Sequence, residues 1–134
     1  MSKLTTSVIY KDLSYKIMGI LFKVHNKLGP AYQEKYYQRA IEKELKTQNI
    51  LFTREFQVEI RYENEMIGKY FIDFVIENKI ALEVKNVNFF HRKYLNQVLA
   101  YLSASGLKLG ILVNFNQDRL FSKRIVNPRI REFA

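Results

Sequence analysis

Three charged side chains stand where their neighbours are apolar. Asp73 lies inside Tyr70-Phe71-Ile72-Asp73-Phe74-Val75-Ile76, and Glu83 and Lys85 lie inside Ile80-Ala81-Leu82-Glu83-Val84-Lys85. Both runs read as strands. Side chains alternate along a strand, so Glu83 and Lys85 share one face while Ile80, Leu82 and Val84 share the other. An ionised carboxylate is expensive to bury without a partner. Two carboxylates on one face also repel each other unless a cation sits between them. A divalent cation with oxygen ligands resolves this, and magnesium suits it, taking one or two carboxylates and keeping several waters. A lysine two residues past a metal-binding carboxylate stands beside the ion. There it can hold or polarise a bound water and offset charge on a phosphorane-like transition state. Alone, Glu83 or Lys85 reads as a solvent-facing charge on an edge strand. Asp73 turns the set toward metal-assisted chemistry, because Asp is disfavoured in strands.

Strand register restricts how these residues can meet. If Asp73 stands opposite Glu83, Ile76 stands opposite Ile80, and Glu77-Asn78-Lys79 is an odd-length connection. A two-residue turn would set Asp73 against Val84 and turn one carboxylate away. A three-residue connection or a bulge is therefore expected.

The elements that position these residues follow from the hydrophobic period. Leu13, Ile17, Leu21, Val24 and Leu28 form a helical stripe, with Asp12 or Ser14 as cap and Gly29-Pro30 as stop. A second helix runs from about Ala31 to Gln48 with Tyr37, Ile41 and Leu45 on its apolar face. Glu34 shares that face, where an acid near a helix N-terminus also complements the macrodipole. Leu51 to Tyr62 alternates as a strand, with Phe52, Arg54, Phe56, Val58, Ile60 and Tyr62 on one parity. Glu63-Asn64-Glu65 is a turn, and the strands Ile67 to Ile76 and Ile80 to Val87 complete an antiparallel meander. His91 to Ser105 is helical, with Gly106 at the C-terminal cap. Gln97 and Tyr101 share a face of it; singly, they read as a surface amide and a core-edge aromatic. Leu107 to Phe115 is a strand buried on both faces. A basic tail, Arg119 to Arg131, includes a short last strand at Lys123 to Val126. The order α-α-β-β-β-α-β describes a sheet sandwiched by helices.

Bulk properties agree with one small α/β domain spanning residues 1–134. The chain has 134 residues, 48% of them hydrophobic, with no repeat or low-complexity tract, so a single core is expected. There is no cysteine, which excludes a disulfide framework, a thiolate zinc site and a cysteine nucleophile. No long apolar run follows the N-terminal residues, and the other apolar stretches are too short to span a bilayer. A cytoplasmic protein with no membrane partner is expected. Twenty-two Lys and Arg against 13 Asp and Glu give a net charge of +9. Such an excess favours polyanions, nucleic acid first. Lys108, Arg119, Lys123 and Arg124 are candidates for a phosphate track. His25 and His91 lack a mutual metal-ligand spacing and read as structural or solvated, with His91 a candidate phosphate contact.

Asp73, then Glu83-Val84-Lys85, then Gln97-x-x-x-Tyr101, preceded by Glu34 on a helix, resembles the PD-(D/E)XK nuclease superfamily. The Q-x-x-x-Y element is similar to that of its RecB-like branch. Leu28 to Tyr37, with Glu34 and Tyr37 three apart, resembles the small GxxExxY proteins of that superfamily. The opening glycine of that motif is Ala31 here, and the proline of the superfamily name is Ile72. The resemblance spans roughly residues 10 to 127. It implies a restriction-endonuclease-like three-layer α-β-α core with a mixed central sheet. It also implies roles: Asp73, Glu83 and the Val84 carbonyl as ligands of magnesium or manganese, and Glu34 reaching the metal directly or through water. Lys85 would position the attacking water, Gln97 would orient Lys85 or a phosphate, and Tyr101 would pack beneath the site, with Tyr37 supporting. The implied activity is metal-dependent hydrolysis of nucleic acid, DNA ahead of RNA. The alternative is a non-catalytic module on the same fold that binds nucleic acid or protein. A homodimer or a larger protein partner stays open.

Overall fold

The structure is a computed structural model that describes residues 9–131, with the side chains of Ile130 and Arg131 outside the description. Its elements are α1 (Lys11–Leu28), α2 (Glu34–Thr47), β1 (Phe52–Tyr62), β2 (Glu65–Ile76), β3 (Ile80–Lys85), α3 (Arg92–Ser105), β4 (Leu109–Asn114), β5 (Phe121–Val126) and the short α4 (Pro128–Arg131). The five strands lie in sequence order in one sheet. β3 and β4 are parallel and joined through α3, whereas the other neighbouring pairs are antiparallel. The hydrophobic pattern implies the α-β-α arrangement, and the resemblance implies the mixed sheet; both are present.

Each face of the sheet has its own core. Ile17, Leu21 and Val24 of α1 and Tyr37, Ile41 and Leu45 of α2 pack on Phe74, Ile76, Ile80, Leu82 and Val84. On the other face, Val98, Tyr101 and Leu102 of α3 pack on Ala81, Leu112 and Ile125. β4 is buried along its whole length. The alternation read from β3 holds: Leu82 and Val84 join one core and Ala81 the other.

Helix ends depart from the expected caps. Neither Asp12 nor Ser14 caps α1; Tyr10 occupies that position in the left-handed conformation, and no side chain accepts from the first turn. The Ser14 hydroxyl instead donates to the Lys11 carbonyl. α1 does stop at Gly29 (φ 72°), whose N–H donates to the His25 carbonyl. α2 begins at Glu34 rather than Ala31, because Pro30 to Gln33 form a loop fastened from outside.

The β1–β2 hairpin also departs from simple alternation. A bulge lies between Ile60 and Arg61. More consequential is the stretch flanked by the pairs Arg54↔Phe74 and Phe56↔Ile72. Phe52 and Phe74 pack with the α1/α2 core, but Phe56, Val58 and Ile72 pack with the α3 core. Both strands thus exchange faces around Glu55 and Asp73, and Glu55 carries the backbone distortion at φ 49°. The connection from β2 to β3 matches the register argument. Ile76 pairs with Ile80, and Glu77 and Asn78 both take positive φ (55° and 56°). Lys79 N–H then closes the turn on the Ile76 carbonyl at 2.9 Å.

α3 approaches the sheet closely only because β4 has glycine at position 110. A Cβ there would lie 2.7 Å from Val98 Cγ1. Val98 is β-branched and held in a packed core, so it has little freedom to yield. Gly110→Ala is therefore expected to destabilise the protein by about 1–3 kcal/mol through overpacking. The expected reading is a lower urea midpoint at unchanged m value.

Candidate active site

The antiparallel ladder between β2 and β3 runs from Ile76↔Ile80 to Phe74↔Leu82. Asp73 and Glu83 follow directly, where the two strands part. Their side chains bridge the parting strands. Val84 N–H donates to Asp73 Oδ2 at 2.8 Å, and Asp73 N–H donates to Glu83 Oε1 at 3.3 Å. On the other side of Asp73, Arg54 Nε donates to its carbonyl at 3.2 Å. Arg54 is itself fixed by Glu42 and Gln38 of α2 and lies over the Phe74 ring. Lys85 Nζ lies 3.6 Å from Glu83 Oε2 and 4.9 Å from the centroid of the Tyr94 ring.

Burial sets the electrostatics. Glu83 is only 5% exposed. Its carboxyl is pushed up from 4.5 to about 8, first by desolvation and then by the neighbouring Asp73, with Lys85 opposing. Asp73 is also raised, chiefly by burial; the Val84 N–H and Lys85 oppose this, and Glu34 adds to it. Tyr101 is buried within reach of the charges of both carboxylates. Desolvation, followed by the charges of Glu83 and Asp73, pushes its hydroxyl above its ordinary value. Its ring meets Tyr70 edge-on with centroids 5.0 Å apart.

Glu34 comes from the opposite layer. As the first residue of α2 it accepts from Asn86 N–H through Oε2 at 3.1 Å, just past the end of β3. Tyr37 explains how that helix end is held. Its ring stacks on Phe115 at 4.3 Å and its hydroxyl donates to the Gly29 carbonyl and accepts from Tyr32 N–H at 3.1 Å. Asn86 ties the same loop by donating to the carbonyls of Pro30 and Tyr32. A second asparagine, Asn114, is 3% exposed and clamps Val87, accepting from its N–H at 3.0 Å and donating to its carbonyl at 3.1 Å. Asn116 donates to Asn86 Oδ1 at 2.7 Å. Asn86 and Asn116 were not singled out from the sequence. The available signal was an amide at or beside the ends of two strands, β3 and β4, whose parallel pairing brings Lys85 opposite Asn114.

Gln97 and Lys85 line one open cavity of about 430 Å³, together with Tyr70, Lys93 and Tyr94. The basic candidates do not gather there. Arg119 is exposed in the β4–β5 loop, at the same end of the sheet. Lys108 precedes β4 at the opposite end, and Lys123 pairs with Leu112 in mid-strand. Arg124 pairs with Ile111 and donates to the Ile9 carbonyl at 2.9 Å, which makes it a clamp on the start of α1. Of the histidines, His25 is buried with Nε2 2.7 Å from the Gln117 carbonyl, whereas His91 is exposed as the residue before α3.

The donor set fits a hard divalent cation. Among the described residues no group of three His, Cys, Asp or Glu side chains is close enough to hold a metal unaided. Two neighbouring carboxylates whose ionised forms are penalised are nevertheless present, with the Val84 main chain between Glu83 and Lys85 and with Glu34 at the rim. A magnesium ion asks for only one or two carboxylates.

In the metal-free protein the raised carboxyls link stability to pH. Between 4.5 and about 8 the folded protein holds a proton on Glu83 that the unfolded chain has released. The unfolded state thus binds fewer protons, and stability falls as pH rises through this window. Glu83→Gln is expected to flatten that decline and to be more stable than wild type at pH 8.5. Thermal midpoints measured in chelator across the window give the comparison.

Among curated proteins none matches the chain. A crystal structure of SSO0001 is similar in fold, with a TM-score of 0.52 and 20% identity over 89% of this chain. The match spans 58% of SSO0001, so this chain corresponds to little more than half of that protein. No helix among the described residues is long and apolar enough to cross a membrane. A family model of the PD-(D/E)XK nuclease superfamily matches residues 11–125, which takes in both helices of the first layer, β1 to β4, α3 and all but the last residue of β5. The chain belongs to the PD-(D/E)XK nuclease superfamily.

Proposed function

We propose that this protein hydrolyses phosphodiester bonds in nucleic acid, DNA ahead of RNA, with magnesium or manganese as cofactor. The observation that carries the reading is the meeting of Asp73, Glu83 and Lys85 where β2 and β3 part, with Lys85 and Gln97 lining one cavity. Asp73, Glu83 and the Val84 carbonyl would hold the ion, and Glu34 would act at its edge through water. When bound, the metal supplies Lewis-acid stabilisation of charge on the phosphoryl oxygens.

The chain's own residues do the rest. Lys85, on a strand that packs into both cores, has little freedom to leave its place beside Glu83. Its ammonium orients the attacking water in line with the leaving oxygen and offsets charge as the phosphorus becomes five-coordinate. Tyr94 lies under the ammonium and helps fix its position. Gln97 orients Lys85 or a non-bridging phosphate oxygen. Tyr101 keeps water from the inner side of the carboxylates and so keeps their interaction with a cation strong. The charge of +9 favours approach of a polyanion.

Lys85→Ala is expected to lower cleavage by about 10²-fold or more, the scale of a positioned proton-handling or charge-stabilising group. Lys85→Arg should not restore it, because a planar fork cannot replace a compact ammonium beside a water. Turnover on a panel of single- and double-stranded DNA and RNA, with magnesium or manganese, reads this directly. Full activity of Lys85→Ala on a substrate that wild type cuts would contradict the mechanism.

A further inference from the structure

The loop from β3 to α3, Asn86 to His91, carries an aromatic side chain that the fold does not use. Phe89 is 82% exposed, the most exposed of the large hydrophobic side chains in the described residues. It lies four residues beyond Lys85 in the chain. An isolated exposed aromatic would be unremarkable on a mobile loop. This loop is fastened on both sides. Before Phe89, the Asn114 side chain grips both main-chain groups of Val87, and Asn86 is tied to Glu34, Asn116 and the α1–α2 loop. After it, Phe90 packs on Phe121 with ring centroids 4.6 Å apart and on Tyr94 at 6.1 Å. The backbone that bears Phe89 is therefore held while its ring is left in water.

The surroundings are cationic and open. The cavity with Lys85, Lys93 and Gln97 adjoins one end of the loop, and a second cavity, with Asn88, Phe90 and Arg119, adjoins its middle. α3 begins with Arg92 and Lys93 and has no acidic residue in its first turn. Cations at the positive end of a helix are unfavourable unless an anion meets them. A phosphate chain running past the loop would supply that anion at intervals, and its bases would supply flat partners for the ring.

We propose that Phe89 is a stacking platform for an unpaired base next to the phosphate held at Lys85, so that the substrate is single-stranded nucleic acid or a locally unpaired stretch of it. The proposal rests on the nuclease reading for the position of the phosphate, but its chemistry is binding and does not require cleavage. Stacking on an exposed ring needs a base whose face is free, which a paired and stacked duplex does not offer. The shared chemistry, a phosphate chain with accessible base faces, is common to DNA and RNA.

The protein has no tryptophan, so Phe89→Trp places a single reporter at this position. Binding of oligothymidylate and oligouridylate of about 15 nucleotides, and of a matched duplex, is followed in chelator so that no cutting occurs. Quenching of the Phe89→Trp emission by at least one of the single strands is expected, with little change on adding duplex. Phe89→Ala should weaken single-strand affinity about tenfold, the loss of one stacked base, and leave duplex affinity unchanged. Phe89→Leu, apolar but without a π-face, should behave like Phe89→Ala. Single-strand affinity retained by Phe89→Ala or Phe89→Leu, or emission unmoved at saturation, would overturn the proposal. Its failure is separable from failure of the nuclease reading. A protein that cuts nucleic acid yet binds single strands equally well without the ring keeps the catalytic assignment and loses this one. A protein that stacks on single strands but cuts nothing on the panel does the reverse.

Discussion

Asp73 and Glu83 meet at the one point where β2 and β3 part, and burial makes the ionised pair expensive. Desolvation pushes both carboxyls upward; the charge of Asp73 adds to the shift of Glu83, which rises to about 8, and the charge of Glu34 adds to that of Asp73. The fold tolerates this because main-chain N–H groups at Val84 and Asp73 donate to the two carboxylates and because Lys85 stands 3.6 Å from Glu83. These contacts reduce the penalty without removing it, and a divalent cation would offset what remains. The same constraint accounts for the strand geometry nearby. A β2 that kept its alternation would not carry Asp73 between two faces, and the distortion at Glu55 accompanies the exchange of faces in β1 and β2.

Most other polar contacts at this end of the sheet hold backbone in place. Tyr37 stacks on Phe115 and fastens the loop that leads to Glu34, while the asparagines at the ends of β3 and β4 fasten the loop that leads to α3. Glu34 and Lys85 come from different layers, so their spacing depends on these ties rather than on either element alone. Gly110 has the same function for α3, permitting an approach that a Cβ would block and bringing Gln97 to the Lys85 side of the sheet. Side chains that touch the site only through others are thus part of how it is built.

The sequence was most informative where period and chemistry disagreed. Asp73 in an apolar strand, and Glu83 and Lys85 two apart in the next, were visible because charge in a buried strand is unusual. The register rule left a three-residue connection or a bulge, and the structure has the Ile76↔Ile80 pairing with the three-residue connection. The antiparallel meander of the first three strands was legible from their alternation, while the mixed sheet, with its parallel β3–β4 pair, was implied by the family resemblance. What escaped was set by tertiary contact. Phe52 and Phe56 have the same parity but belong to different cores, because a positive φ at Glu55 is invisible to alternation. α2 starts later than the hydrophobic period implies, because Tyr37 holds the loop before Glu34 out of the helix. Arg124 reads from the sequence as a phosphate-track candidate, but its strand position turns it toward Ile9. Lys108 and Arg119 are close in sequence terms, yet they fall at opposite ends of β4.

The chemistry of the site turns on whether Asp73 and Glu83 together hold a divalent cation. Calorimetric titration of manganese into wild type and into Asp73→Asn tests it most directly, since the variant keeps the side-chain shape and removes one charge. Wild type is expected to show a site whose affinity rises with pH toward 8, because the ion must displace the proton that burial favours on Glu83. Asp73→Asn is expected to lack that site while remaining folded. Equal manganese affinity in the two proteins, or binding in wild type that is indifferent to pH across this range, would contradict it.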